Sequence, residues 1–221
     1  MREVLAFDLY GTLVDPIRIW RRLENYVGDA AQRIAELWRQ KQLEYTFRLT
    51  AMEQYAPFDL VTSKALEFAL TACGQGISDA DRRIVLAEYD NLEPFPDVRS
   101  GLERLRSAGY TMVVFSNGTP RMLSAAVRSA GIADAFEDLV SVDEVQTYKP
   151  SPRVYHHLTT RVHRPADQVR LISSNPFDVI GADAVDMQVG WIDRTHGLFD
   201  SLGTRPALVV GTLVELANEL L

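Results

Sequence analysis

Short apolar runs recur along the chain, and most of them are separated by stretches with helical spacing. Apolar runs that are bounded by turn residues are typical of buried strands. They predict strands at Val4–Asp8, Tyr110–Ser116, Asp138–Val140, Val169–Ser173, Val189–Ile192 and Leu208–Val210. The intervening stretches predict helices at Asp97–Ser107, Pro120–Ala130, Ser151–Arg161, Phe177–Val185 and Thr212–Leu220. This alternation indicates an α/β protein in which helices cover both faces of a parallel sheet.

A long segment after the first strand departs from the alternation. Between Pro16 and about Asn91 the residues favour helix and no strand is evident, and the prolines of Glu93–Pro96 close the segment. We interpret it as an all-helical cap that is inserted after strand 1 and lies over the carboxyl edge of the sheet. The predicted domains are a core of residues 1–14 and 94–221 and a cap of residues 15–93.

One helix of the predicted cap has two apolar sides. In a projection of Ala30–Leu49 at about 100° per residue, one side holds Ile34, Leu37, Trp38 and Lys41, and the other holds Arg39, Leu43 and Phe47. We expect the first side to pack inside the cap or against a second subunit. The second side is then free to face the cleft and to bring Arg39 with it. The pattern alone also fits a solvated arginine with a packed aliphatic stem.

Composition and charge narrow the class of protein. The 221 residues carry a formal net charge of −7. Proteins that bind nucleic acids or anionic membranes usually carry a basic surface instead, so neither partner is expected. No apolar stretch approaches the ~18 residues that a membrane span needs, and no charged-then-apolar leader opens the chain. The single cysteine, Cys73, excludes an intrachain disulfide. We expect a soluble, unprocessed, cytoplasmic protein without nucleic-acid or membrane partners.

Polar side chains follow four of the predicted strands. These groups are Asp8 with Thr12, Ser116 with Asn117, Lys149, and Asn175 with Asp178. Each has an ordinary explanation when taken alone: Asp178 suits a helix start, and a lysine before a proline is usually on the surface. The carboxyl ends of parallel strands, however, meet at the edge where α/β sheets bind ligands. Their conjunction in this order therefore predicts a single functional site.

Taken together, these residues resemble the motifs of the haloacid dehalogenase-like superfamily and, more narrowly, those of the L-2-haloacid dehalogenases. The matching segments are Phe7–Leu13, Trp38–Tyr45, Phe115–Gly118, Tyr148–Pro150 and Ser173–Asp178. The resemblance extends over essentially the whole chain, and the cap segment around Arg39 is particular to the dehalogenases. It implies a Rossmann-like parallel sheet core with an all-helical cap inserted after strand 1, and a homodimer.

The resemblance also implies roles for individual residues. Asp8 matches the nucleophile, and the other catalytic positions are Thr12, Arg39, Ser116, Lys149, Tyr155, Ser173, Asn175 and Asp178. The group that holds the departing halide matches Arg39, Asn117 and Phe177. The walls around the substrate carbon match Tyr10, Gln40, Leu43 and Phe58. Ser116 and Lys149 are expected to hold the substrate carboxylate, and Tyr155 is named through the family alone.

Two positions separate this chain from the phosphatases that the superfamily contains. Those enzymes carry a second acid two residues after the nucleophile, which protonates an alkoxide leaving group, and this chain has Tyr10 there. Metal-dependent members also need a carboxylate where this chain has Ser173. Because Mg²⁺ prefers about six oxygen ligands, Asp8 and Asp178 beside Lys149 make a poor site. We expect neither a metal nor a cofactor.

The expected reaction is the hydrolytic dehalogenation of short L-2-haloalkanoic acids to D-2-hydroxy acids. Asp8, which is ionised near pH 7, displaces halide from C2 with inversion and forms an ester. Water then attacks the ester, with Asp178 as the candidate base, although Lys149 beside it is expected to lower its pKa and weaken it. The alternatives are a hydrolase of the same fold that acts on fluoroacetate or on a strained-ring carboxylate, a phosphatase or phosphonatase, and a non-catalytic binding protein.

Overall fold

A single parallel sheet forms the centre of the molecule. The computed structural model describes residues 2–221, so the first residue of the predicted core lies outside the described residues. Within this range, six strands pair in the order β3-β2-β1-β4-β5-β6, and every pair is parallel. The strands are β1 Val4–Phe7, β2 Met112–Ser116, β3 Asp138–Ser141, β4 Val169–Ser173, β5 Gln188–Ile192 and β6 Val209–Val210. The predicted α/β architecture is confirmed.

The strands form where the apolar runs are buried from both sides, as parallel sheets require. Every residue of β1 and β2 is buried. The second strand begins at Met112, two residues later than Tyr110, the predicted start. Tyr110 is only half-buried, and its hydroxyl donates to the carbonyl of Leu220 at 2.9 Å, so it belongs to the packing of the last helix rather than to the sheet.

All the regular secondary structure in the segment after β1 is helical. Residues 16–91, all of which the structure describes, contain no strand. Their α-helices are α1 Trp20–Val27, α2 Ala31–Ala51, α3 Phe58–Ala72 and α4 Asp79–Ala87. The chain leaves and returns side by side, since the Asp15 N–H donates to the Glu93 carbonyl and the Phe95 N–H donates to the Leu13 carbonyl, both at 3.1 Å. Two neighbouring chain passages between the insertion and the core are what an inserted cap requires. The exact domain bounds stay a prediction.

Helix α2 packs one side inside this insertion. Ile34 and Trp38 are fully buried, and the Trp38 indole N–H donates to the carbonyl of Thr62 in α3 at 2.8 Å. Of the two locations expected for this side, the interior of the insertion is therefore the one the structure shows. The opposite side of α2 lies toward the loop after β1, where Arg39 donates to the carbonyl of Tyr10.

The remaining helices follow the strands of the core. They are α5 Val98–Ser107, α6 Pro120–Ser129, α7 Pro152–Arg161, α8 Pro176–Asp183 and α9 Leu213–Leu220. Three of them begin with proline, which suits the first helical turn because its missing N–H has no partner there. No helix within residues 2–221 is long and apolar enough to cross a membrane.

The strand order decides where a ligand can bind. Strand β1 lies between β2 and β4, and the chain connections run in opposite directions from it, which makes β1 and β4 a topological switch point. Parallel sheets open a crevice at the carboxyl ends of such strands. Asp8 is placed in that crevice because it directly follows β1 and its N–H donates to the Ile172 carbonyl of β4 at 2.9 Å.

Candidate active site

The Asp8 carboxylate is held by side chains from three different loops. Its Oδ2 accepts hydrogen bonds from the Thr12 hydroxyl at 2.8 Å and from Asn175 Nδ2 at 2.7 Å. Its Oδ1 accepts from Lys149 Nζ at a longer 3.2 Å. Asp8 is 6% exposed, so a small ligand has limited access to its carboxylate. The two oxygens are therefore unequal, and Oδ1 is the one with spare lone-pair capacity.

Lys149 joins two buried carboxylates. Its Nζ donates to Asp8 Oδ1, to Asp178 Oδ2 at 2.7 Å and to the Phe115 carbonyl at 2.8 Å. An ammonium has three N–H donors, and all three are engaged. A buried charge is costly unless it is paired, and here one cation faces two anions. The cluster carries a net negative charge when both carboxylates are ionised.

Asp178 is the carboxylate whose protonation is shifted. Its burial raises its pKa to about 6, and the negative charge of Asp8 acts in the same direction. Lys149 lowers this pKa, as does the hydrogen bond from Tyr155, but burial is the larger effect. Lys149 therefore acts in the expected direction, but the expectation that the pKa of Asp178 would be lowered overall and the base weakened was wrong. Desolvation of a fully buried carboxylate outweighs one neighbouring ammonium.

Tyr155 fixes the second oxygen of Asp178. Its hydroxyl donates to Asp178 Oδ1 at 2.9 Å. Burial and the nearby charge of Asp178 raise the pKa of Tyr155 well above its ordinary value, so the phenol stays protonated and remains a donor. Sequence reasoning named this residue only through the family, since its position in α7 otherwise suggested simple packing.

The polar residues at the ends of β2 and β4 tie the surrounding loops together. Asn117 Oδ1 accepts from the Lys149 N–H at 3.1 Å, which leaves its Nδ2 as the free donor. Ser116 Oγ accepts from the Gly118 N–H at 3.3 Å, and its own proton is available to a ligand. Ser173 Oγ accepts from the Asn175 N–H at 3.1 Å and so orients the residue that contacts Asp8.

Arg39 reaches the site from the inserted helices. Its Nη2 donates to the Tyr10 carbonyl at 3.2 Å, and Asn175 Nδ2 donates to the same carbonyl at 3.1 Å. Arg39 therefore lies next to a residue that contacts the Asp8 carboxylate. The structure brings Arg39 and Asn175 together at this carbonyl, and their roles stay predictions.

Aromatic and apolar side chains surround these polar groups. Tyr10 stacks on Phe58 with ring centroids 5.8 Å apart, and Phe177 meets Phe47 edge-on at 5.1 Å. A cleft of about 480 Å³ is lined by residues that include Gly11, Arg39, Leu43, Ser174 and Asn175. Of the predicted walls, Leu43 lines this cleft, whereas Tyr10 and Phe58 pack against each other.

Gln40 is placed differently from the other predicted wall residues. Its side chain is exposed, whereas its neighbour Arg39 is partly buried. Successive helix residues point about 100° apart, so Gln40 is turned away from the site when Arg39 faces it. The structure does not bring Gln40 into the group around Asp8, and a wall contact there stays a prediction.

Sequence reasoning missed a buried glutamine and an arginine. Gln42 is fully buried and accepts from Arg39 Nη1 at 2.7 Å. Its position three residues after Arg39 places both on one helix face, a signal that could have identified it. Arg194 donates to the Thr12 carbonyl through Nε at 3.0 Å and Nη2 at 2.7 Å. No local sequence signal pointed to Arg194, because the contact joins loops far apart in the chain.

The carboxylates near the site are arranged around an ammonium. Among residues 2–221, no three His, Cys, Asp or Glu side chains form a group that could hold a metal ion. A reaction without a metal stays a prediction, which the chemistry of the donor set supports: Lys149 occupies the space between Asp8 and Asp178.

Comparisons with known proteins show which family and which proteins this chain is similar to. A family model described as haloacid dehalogenase-like hydrolase matches residues 3–186. The (S)-2-haloacid dehalogenase 2 of Pseudomonas sp. (strain CBS-3) is 37% identical over 220 residues, 99% of this chain and 96% of that protein. Haloacetate dehalogenase H-2 of Moraxella sp. (strain B) is 37% identical over 211 residues, 94% and 93% of the two chains. The solved L-2-haloacid dehalogenase of Xanthobacter autotrophicus with chloropropionic acid covalently bound has a TM-score of 0.91 at 29% identity, covering 100% of this chain and 98% of that one.

Proposed function

Because the chain belongs to the haloacid dehalogenase-like hydrolase family, we propose that it hydrolyses short L-2-haloalkanoic acids to D-2-hydroxy acids. The reaction proceeds through an ester on Asp8, inverts the substrate carbon and uses no metal. The observation that carries the proposal is the unequal hydrogen bonding of the two Asp8 oxygens. Oδ2 accepts two short hydrogen bonds, while Oδ1 accepts a longer one. The names of the relatives support the substrate class.

In the first step, Asp8 Oδ1 attacks C2 of the substrate. Thr12 and Asn175 occupy Oδ2, so Oδ1 is the oxygen with a lone pair to give. The C2–O bond forms as the carbon–halogen bond breaks, and the halide leaves with the bonding electron pair. Arg39, Asn117 and Phe177 surround the leaving group. Preorganised donors stabilise charge that develops in the transition state.

Tyr10 fits a leaving group that departs without a proton. Its hydroxyl is buried and makes no hydrogen bond with any of the residues that the structure describes. Burial raises the pKa of Tyr10 far above its ordinary value, so the phenol is a very weak acid. An alkoxide leaving group needs proton donation, whereas a halide does not. Tyr10 therefore serves as a wall of the pocket.

Ser116 is the better candidate of the two residues expected to hold the substrate carboxylate. Its hydroxyl proton is available, and the Gly118 N–H lies beside its oxygen. Lys149 already donates to three acceptors and releases a donor only when Asp8 becomes an ester, which accepts hydrogen bonds more weakly. We assign Lys149 mainly the control of charge at Asp8 and Asp178.

In the second step, water attacks the carbonyl carbon of the Asp8 ester. Oδ2 is then the carbonyl oxygen, and Thr12 and Asn175 are placed to stabilise the negative charge that develops on it. Asp178, with a raised pKa, accepts the proton of the water. Esterification removes the charge of Asp8, so the pKa of Asp178 falls and the base is ionised at neutral pH. Collapse of the tetrahedral intermediate releases the hydroxy acid and restores Asp8.

The decisive experiment measures halide release from L- and D-2-chloropropionate and from fluoroacetate, with and without EDTA. We expect release from the L-isomer alone among the chloropropionates, resistance to EDTA, and loss of activity in Asp8→Asn. In H₂¹⁸O, the label should enter Asp8 during turnover. Activity that survives in Asp8→Asn would overturn the proposal, and preferential release of fluoride would favour the fluoroacetate alternative.

We also propose that the protein is a cytoplasmic homodimer. The sequence left the Ile34 and Trp38 side of α2 open either to an interface or to burial inside the cap, and those residues are buried within the insertion. A different apolar groove of about 330 Å³ lies between α2 and α3 and includes Leu49, Met52 and Leu60. Met52 and Leu60 are 56% and 49% exposed, and a second subunit would cover them. The cytoplasmic location rests on the lone cysteine.

A further inference from the structure

Arg39 keeps its positive charge uncompensated. Among the residues that the structure describes, it forms no ion pair, although many other arginines of this chain pair with carboxylates. Its two contacts are neutral acceptors, the Tyr10 carbonyl and Gln42 Oε1. A guanidinium beside the cleft with no anionic partner retains its full attraction for an anion.

Gln42 is held so that its oxygen faces Arg39. Its Nε2 donates to the Thr62 hydroxyl at 2.7 Å, and that hydroxyl donates its own proton to the Phe58 carbonyl at 2.7 Å. Because the Thr62 hydroxyl donates its proton to Phe58, the Thr62 oxygen must accept the hydrogen bond from Gln42. The amide nitrogen of Gln42 therefore faces Thr62, and its amide oxygen faces the other way. Gln42 Oε1 is then directed at Arg39 Nη1 and also lies 3.5 Å from the Tyr89 hydroxyl.

We propose that Gln42 is a positioning residue that aims Arg39 at the departing halide without cancelling its charge. This inference rests on the proposed function, in which Arg39 contacts the halide. A glutamate would fill the same space and reach the same nitrogen, but it would form a buried ion pair with Arg39. A carboxylate at hydrogen-bond distance is strongly attracted to the guanidinium in a low-dielectric site. Only a neutral acceptor both orients Arg39 and leaves it available to an anion.

The test compares Gln42→Glu with Gln42→Met and with the control Gln75→Glu. Gln75 is exposed, so its substitution changes the net charge equally without touching Arg39. Bromide binding to the free enzyme is measured calorimetrically with sodium bromide. We expect Gln42→Glu to weaken bromide binding about tenfold or more, Gln42→Met to weaken it less, and Gln75→Glu to leave it unchanged.

Single-turnover kinetics separate positioning from a merely structural role. We expect Gln42→Glu to slow ester formation more with L-2-chloropropionate than with L-2-bromopropionate, because the poorer leaving group depends more on Arg39. Hydrolysis of the ester should keep its rate within about twofold, since Thr12, Asn175 and Asp178 are untouched. A general loss of packing would slow both steps and would not discriminate between the halogens.

The outcomes distinguish this inference from the proposed function. Unchanged bromide binding and an unchanged chloride-to-bromide rate ratio in a folded Gln42→Glu protein would overturn the role of Gln42 alone. If Gln42→Glu does not fold, unchanged bromide binding in Gln42→Met has the same consequence. A wild-type protein that releases no halide from any substrate would overturn the proposed function instead, and the bromide titration would still measure the effect of Gln42 on Arg39.

Discussion

At the residue scale, the burial of Asp178 predicts how ester hydrolysis depends on pH. Its raised pKa of about 6 means that the carboxyl is protonated below that pH and is then unable to accept a proton from water. In the ester the negative charge of Asp8 is gone, and this loss lowers the pKa of Asp178. The midpoint of the pH dependence should therefore lie at or below about 6. Single-turnover decay of the ester should therefore slow as the pH falls through this range. Asp178→Asn should hydrolyse the ester slowly at every pH, and a normal rate in that variant would exclude Asp178 as the base.

Thr12 gives a second prediction at this scale. Thr12→Val removes one of the two donors to Asp8 Oδ2 while keeping the shape of the side chain. Loss of such a donor costs about a hundredfold in rate, and the loss should fall on ester hydrolysis. Mass spectrometry should detect the protein esterified at Asp8 by the 1-carboxyalkyl group of the substrate during turnover. Thr12→Ser retains the hydroxyl and serves as the matched control; accumulation of the ester in both variants would contradict the role of the hydroxyl.

Single residues also mark the limit of what the sequence predicts. The order of polar groups at the strand ends was readable, because topology brings those ends to one edge. The contact between Gln42 and Arg39 was readable only in part: helix spacing places Gln42 on the Arg39 face and Gln40 off it, but tertiary packing decides which face is buried. The pKa of Asp178 likewise depends on how completely the folded chain excludes water from it.

At the element scale, the loop after β5 supports the loop after β1. Arg194 donates twice to the Thr12 carbonyl and once to Asp97 Oδ1 at 2.8 Å, and the Asp97 Oδ2 accepts from the Leu213 N–H at the start of α9. Strand and helix patterns predicted the elements themselves but not this contact between loops. Asp8 is therefore positioned indirectly by an arginine that contacts neither the carboxylate nor its donors' side chains.

This arrangement predicts the effect of Arg194→Gln. The substitution leaves Asp97 without its cation and weakens the hold on Thr12, and loss of one partner of a largely buried pair costs about 3 kcal/mol in the free energy of unfolding. Urea denaturation measures this loss, and kcat should fall as well because Thr12 becomes less well placed. Arg48→Gln, at an arginine whose side chain is 60% exposed, is the control and should change stability little. Equal effects of the two substitutions would argue against a supporting role for Arg194.

At the scale of the whole molecule, the inserted helices and the sheet are joined close to the site. The Tyr148 hydroxyl donates to the Ala56 carbonyl at 2.5 Å, and the Tyr55 hydroxyl donates to Asp143. Tyr148 directly precedes Lys149, and Ala56 lies two residues before Phe58. Movement of the insertion would therefore be transmitted both to the charge cluster and to the aromatic wall. The proposed cap and the core act on the same pocket, which explains why Arg39 is supplied by a helix outside the sheet.

The exposed groove between α2 and α3 is the surface through which we expect two copies of the chain to associate. Leu60→Asp places a charge on a surface that a second subunit would cover, and desolvating an unpaired carboxylate opposes association. Size-exclusion chromatography with light scattering should show a dimer for the wild type and a monomer for this variant. Leu198→Asp is the matched control, because Leu198 is 97% exposed and lies outside the groove. A dimer that withstands Leu60→Asp but is disrupted by Leu198→Asp would move the interface to the loop after β5. If the wild type is monomeric, the apolar groove serves no self-association, and the site around Asp8 functions within a single chain.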